Sequence, residues 1–504
     1  MVSATNQGCS CGGDDGGTDS HPAGCGSDCK QPCGPALTPG LIGAYTSLTT
    51  AKDGTVWVAG YNDSVHTADG DYVYGDLVVG KYDPAKLLVA WETVDGVPQR
   101  TDGTCPANDR SGWRNGETDA GDDVGLWTSV ETDPDGHPMV AYYDATHHAL
   151  KVAVRDGAWS THVVSAPPGG DAGRYAKMTI VSGNPVIAFS IVEKGTGGHT
   201  RSRVVLAKGQ VASPRSTGDW TFEDALVDDN GPCRASTCDA GQVCVASTGQ
   251  CATPGTGCTP ADCGSGNACV TVAGKASCVG TLAPTYLEPY PNAVSDYIDV
   301  ASGPQGLGLV AYDRIHGNLL AIANTNGAWT TQILDGETGS RAAGNAVDTG
   351  DTGIGASLAI APNGDWHVSY VDGLAERLEY LAVPGGKAPL HPEIVDDGIG
   401  LGPGAPPFAD GKHVVGDDSR IRVDPDGTVV IGYQDASAGS LRVAIGTPKA
   451  DGTHAWSVKS LDQPNRFGGF FPRFVGDAHR LANFWRATDH ATGDTHGDVA
   501  FIDY

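Results

Sequence analysis

The chain has 504 residues, 39% of them hydrophobic, with 72 glycines, 31 prolines and a formal charge of −28. So negative a chain repels nucleic acid and anionic lipid, which need lysine and arginine for neutralisation, and this excludes them as partners. The glycine and proline content suits short strands and turns, no segment keeps a 3.6-residue apolar period over several turns, and no apolar run reaches the roughly 18 residues of a membrane span.

Residues 1–35 are rich in Gly and Cys, with five cysteines between Cys9 and Cys33, and are expected to form an irregular tether. Cys9 is a candidate lipid-anchor cysteine, although "NQGC" lacks the aliphatic residue that a lipobox carries three positions earlier. No signal peptide is visible in this chain. Cys105 stands alone and is expected to pair with one of the five.

From Leu126 to Val164 the sequence "LWTSVETDPDGHPMVAYYDATHHALKVAVRDGAWSTHVV" alternates strands and turns. Related stretches start at Leu48, Met178, Ile298, Leu358, Ile421 and Phe471, making seven copies. Each has a first strand ending in a turn of the Asp-Pro-Asp-Gly type, such as Asp133–Gly136 and Asp424–Gly427. Glycine supplies the positive φ of such a hairpin. A second strand ends in Tyr-x-Asp, as at Tyr142 and Asp144, and a later turn leads into Trp159, Trp220, Trp329 or Trp456. That Trp is expected to fill the wedge between neighbouring sheets. Four strands per unit at a period of roughly 40 to 70 residues is the propeller range.

The predicted fold is therefore all-β, a seven-bladed β-propeller, with six or eight blades as alternatives because Met178 to Asp228 is degenerate. Residues 36–230 hold blades 1–3, residues 231–282 a disulfide-rich insertion and residues 283–504 blades 4–7. The last copy lacks a fourth strand, and "ALTPGLIG" (36–43) is the candidate to supply it and close the ring.

Ser129, Asp133, Gly136, Pro138, Tyr142, Asp144, Leu150, Ala153, Gly157 and Trp159 carry a resemblance to secreted bacterial propellers of the BNR/Asp-box, sialidase-like kind. The resemblance implies the fold and an extracellular or cell-surface place. It leaves activity open, since such propellers host lectins, lyases, hydrolases and adhesion modules. A full Asp-box is absent, and the sequence assigns no Arg triad for a sialic acid carboxylate.

The insertion carries Cys233, Cys238, Cys244, Cys251, Cys258, Cys263, Cys269 and Cys278 as two four-cysteine units, resembling small Cys-rich modules of bacterial surface proteins. Disulfides are favoured over zinc because no C-x2-C pair occurs, and units this short hold no core of their own. The module is expected to stand off the ring.

Loops before each first strand share a face with the loops between second and third strands, and this face is the expected functional mouth. Asp122, Asp123, Asp351, Asp417 and Asp418 recur there, as candidate ligands for Ca2+, the one cofactor expected. Local turn bonding is the competing explanation. His490 and His496 are weaker candidates for a transition metal. Tyr45, Trp127, Tyr175 and Tyr297 could form a floor for stacking a sugar or peptide side chain, with Arg420, Arg473, Arg314 and Arg486 gripping a carboxylate. Tyr297, Arg314 and His316 are the trio that could abstract a proton beside a uronate carboxylate. No P-loop, haem-type C-x-x-C-H, G-x-S-x-G or HExxH is present, so no nucleotide, haem or flavin is expected. Two functions follow: a surface or extracellular protein binding a glycan, peptide or protein, or a polysaccharide lyase or glycoside hydrolase using the same face.

Overall fold

Seven antiparallel sheets follow one another along the chain in a computed structural model. It describes residues 37–67, 70–98, 112–233, 237–255, 257–258, 263–272, 275–281, 293–325, 327–337, 350–387, 389–461, 463, 465–476, 478–489 and 495–504. Blades 2 to 6 have four strands each in simple up-and-down order, the first sheet has five because the short Thr38–Pro39 strand joins its four, and the seventh sheet has three. Their first strands are Ile42–Thr50, Val124–Thr132, Asp171–Val181, Asp296–Gly303, Thr352–Ile360, Val415–Val423 and Phe467–Phe474. Each of these contacts the next, and the last contacts the first, so they line a closed central channel. The degenerate stretch from Met178 forms a complete third blade, which fixes the count at seven.

The repeat motifs explain how the sheets join. Gly136 and Gly427, at φ 89° and 84°, close the hairpins of the Asp-Pro-Asp-Gly turns. In three copies the Tyr of Tyr-x-Asp is buried between blades and donates to an acid ending the previous blade: Tyr142 to Asp95 (2.6 Å), Tyr370 to Asp335 (2.8 Å) and Tyr433 to Asp396 (2.6 Å). The Asp of the motif instead caps its own turn, as Asp144 does for the His147 N–H. The indole N–H groups of Trp159, Trp220, Trp329 and Trp456 reach the outer strand of the preceding blade, at Glu92, His162, Glu223 and Glu393. A large apolar ring with one polar handle suits such a seam.

Ring closure differs from a shared four-stranded sheet. Thr38–Pro39 pairs with His66 and Val65 of blade 1, and Leu41 touches the last sheet only through a parallel bridge to Gly497. Blades 7 and 1 are joined by packing, with Val58 and Val89 of blade 1 against Ala482, Val499 and Phe501 of blade 7.

The insertion consists of two hairpins, Val243–Val245 with Gln250–Ala252 and Asn267–Val272 with Lys275–Gly280. Its bridges run first to third and second to fourth in each unit: Cys233–Cys244, Cys238–Cys251, Cys258–Cys269 and Cys263–Cys278. Four disulfides are the mark of an oxidising compartment. The first unit does not stand off the ring. Thr237 donates to the Gly198 carbonyl (2.8 Å), and a Cβ on Gly198 would lie 2.6 Å from the Cys251 sulfur. The tether, Cys9 and Cys105 lie outside the described residues. Among the described residues, no helix is long and apolar enough to cross a membrane.

Candidate functional site in the central channel

The first strands share one irregularity. Tyr45, Trp127, Tyr175, Tyr297, Gly355, Asp418 and Phe471 all have φ between 47° and 62°. The pairing with the second strand shifts register around each of them. An L-residue in this left-handed region costs about 1 kcal/mol or more, so six such residues at equivalent places are strain held by the surrounding structure. Six of the seven follow a glycine two residues earlier. Gly125 and Gly173, at φ 105° and 110°, lie so close to the preceding blade that a Cβ would sit 2.8 Å from the Cα of Leu77 or Leu150.

The bulges turn five aromatic rings toward the channel mouth in one continuous arc. Phe471 stacks on Tyr45 (4.9 Å between centroids), Tyr45 meets Trp127 (5.5 Å), Trp127 meets Tyr175 (5.1 Å) and Tyr175 meets Tyr297 (5.0 Å). Gly355 and Asp418 fill the remaining two places of this tier. Tyr175 is buried, and its hydroxyl has no hydrogen-bond partner among the described residues.

Two residues further along each strand, roughly 6.6 Å deeper, lies a second tier: Ser47, Ser129, Lys177, Asp299, Ser357, Arg420 and Arg473. Four of these staple one blade to the next by accepting a backbone N–H. Val130 donates to Ser47 (3.1 Å), Met178 to Ser129 (2.8 Å), Leu358 to Asp299 (2.8 Å) and Ile421 to Ser357 (3.3 Å). The other three are cations, which cannot accept such a bond. Arg420 pairs with Asp299 (2.7 Å). The Arg473 guanidinium donates to the Pro472 carbonyl (2.8 Å), and the Lys177 ammonium makes no hydrogen bond or ion pair among the described residues. An upper chamber of about 90 Å3 lies between the two tiers, and a lower one of about 230 Å3 lies between the second tier and the residues beneath it, Glu131 and Arg422 among them.

The enclosure moves the charges. Burial, then the nearby Arg473, pulls the Lys177 ammonium down to about 7. Burial and Arg420 lower Arg473 to about 10. Burial pushes Asp418 up to about 6 and Glu131, one tier deeper, up to about 7. Burial opposes ionisation of Asp299 too, but Arg420, Lys177 and the Leu358 N–H outweigh it and hold that carboxyl below its ordinary value.

Of the residues singled out by sequence, Tyr45, Trp127, Tyr175, Tyr297, Arg420, Arg473 and Asp418 therefore meet in one channel. The other acids lie apart. Asp123 accepts from Tyr61 (3.0 Å), Asp351 from Tyr312, and Asp417 is half-buried, its carboxyl raised by burial. Asp122 comes together with Asp144 and His147, with ligand atoms all within 4.8 Å, the set on this face that could hold a cation. Of the proton-abstracting trio, Arg314 lies within electrostatic reach of Tyr297. Arg314 gives its Nε to Asp296 (2.8 Å), and His316 is exposed and bonded to Asp313 (2.8 Å). His496 packs edge-on to Trp485, Arg486 is exposed, and His490 lies outside the described residues.

Lys177 escaped the sequence reading. Its signal was available once the strands are aligned on their bulges: GAYTS, GLWTS, GRYAK, SDYID, GIGAS, GDDSR and GFFPR. The last column holds the second tier.

No known protein family matches the sequence, and no curated protein matches it. Among solved structures the chain is similar to polysaccharide lyase Uly1, at 10% identity over 94% of this chain and 90% of that one, with a TM-score of 0.44. It is similar to YCF48 from Cyanidioschyzon merolae at 10% identity, 93% and 98% coverage and a TM-score of 0.41. It is similar to AofleA from Arthrobotrys oligospora at 11% identity, 85% and 89% coverage and a TM-score of 0.35. At such distances the site has to be argued from its own residues.

Proposed function

We propose that the protein is an extracellular or surface-tethered binding protein whose channel mouth receives a glycan. The arc of five aromatic rings carries this reading. Apolar ring faces held at a rigid rim provide a stacking platform for the C–H face of a sugar. The rim keeps strained backbone at six non-glycine positions, and four of the five rings stand on bulges that follow a glycine. The unmet Tyr175 hydroxyl supplies a buried hydrogen-bonding group for a ligand hydroxyl. A glycan array followed by calorimetry on the full chain tests it. Trp127→Ala is expected to weaken sugar binding roughly tenfold without unfolding the ring. Absence of any sugar binding by the unaltered protein would remove the proposal.

The second reading is a carbohydrate-active enzyme using the same mouth. It is favoured by one observation: Lys177 and Asp418 line the same chamber and titrate near neutrality, where proton transfer is efficient. Ultraviolet absorbance from unsaturated uronate products, lost in Lys177→Met, would select elimination over binding.

A further inference from the structure

We infer that the second tier is an anion site, and that the channel takes a glycan end-on by placing the carboxylate of a terminal hexuronate between Lys177 and Arg473. This rests on the glycan reading above and specifies its ligand.

The seven equivalent positions give the first reason. Serine or aspartate there stabilises the ring by accepting an N–H from the next blade, as at Ser47, Ser129, Asp299 and Ser357. Lys177, Arg420 and Arg473 forgo that bond. Lys177 on blade 3 faces Arg420 and Arg473 on blades 6 and 7 across a narrow channel, where like charges repel, so they do not improve the ring. They are explained by something that enters the channel.

Charge gives the second reason. The chain carries 60 acidic against 32 basic residues, so an unpaired cation has many carboxylates to choose from. Asp299 pairs with Arg420. Asp418, a tier above, accepts from the Phe471 N–H, and Glu131, a tier below, from the Thr49 hydroxyl (3.1 Å). Neither makes an ion pair with Lys177 or Arg473. Both cations thus face the chambers with donors unspent, Arg473 having given one to Pro472. Guanidinium and ammonium together suit a carboxylate, one by directed bonds and the other as a point charge.

Topology gives the third. The channel is ringed by seven unbroken first strands, so a polymer cannot enter from the side. The upper chamber beneath the arc lies on the channel axis, so a chain reaches the second tier along that axis. A uronate ring at the arc would direct its carboxylate to the tier roughly 6.6 Å below.

The test is calorimetry on the full chain with glucuronate, its methyl ester, glucose, inorganic sulfate and phosphate, and oligoglucuronates of increasing length. Glucuronate is expected to bind at least tenfold more tightly than the ester or glucose. Lys177→Ser and Arg473→Ser should abolish that preference. Both install the residue that Ser47, Ser129 and Ser357 show the ring accepts, and thermal melts confirm that they fold. Oligomers should bind one protein per chain at every length. Equal affinity for acid and ester would overturn the anion site while leaving the glycan reading intact. If no sugar binds, acidic or neutral, both readings fall. Sulfate or phosphate binding as tightly as glucuronate would overturn the hexuronate assignment, and stoichiometry that grows with length would overturn end-on entry.

Discussion

Two parts of the channel wall do opposite work with the same backbone. Between blades 1, 2 and 3, and again between blades 4, 5 and 6, a short acceptor ties one first strand to the next. In blades 3, 6 and 7 the same position carries Lys177, Arg420 and Arg473. The stapled part is built for stability. The cationic part gives up bonds and gathers like charge where water is scarce. An equal geometry with unequal chemistry separates scaffold from site more clearly than burial does, because both parts are enclosed.

The comparison breaks most severely at Asp299, which belongs to both parts. Asp299→Ala removes the acceptor of the Leu358 N–H and leaves Arg420 without its carboxylate, so a loss of about 3 kcal/mol is expected in urea unfolding. Next comes pH. Lys177 in the folded chain releases its proton at about 7, against 10.5 ordinarily. Between those values the unfolded chain holds a proton that the native chain lacks, so this group makes stability rise with pH across that window. Lys177→Ser should flatten that part of a stability–pH profile. In the stapled part Ser129→Ala should cost about 1 kcal/mol, one hydrogen bond, and leave ligand binding unchanged. Lys177→Ser at pH 7 should raise stability, because it removes a buried ammonium whose depressed proton affinity opposes folding there; the Val300 N–H that faces this position already donates to Asp299 (3.1 Å), so the gain comes from the lost charge and reads as a rise in Tm. A fall in Tm would mean that the cationic part is not the strained one.

Much of the fold was legible because its determinants are local. Gly136 and Gly427 mark turns by their φ, Tyr142 and Trp159 recur at fixed offsets, and each cysteine unit is too short to do without bridges. The acids of the mouth were legible as a group but not as a site. Their partners, Tyr61 for Asp123 and Tyr312 for Asp351, lie 62 and 39 residues away and are chosen by how blades abut. For the trio Tyr297, Arg314 and His316 the local partners were legible but unread: Asp296 and Asp313 stand beside Arg314 and His316 and hydrogen-bond them.

The sequence by itself determined a ring of four-stranded sheets and a disulfide-stapled insertion, because strand period, turn chemistry and cysteine spacing act over a few residues at a time. Only the tertiary structure decided that five aromatic rings touch, that three cations share a tier with three serines, and that the first cysteine unit rests on Gly198. Those facts depend on the angle at which successive sheets meet around an axis, which is a property of the closed ring and of no single repeat within it.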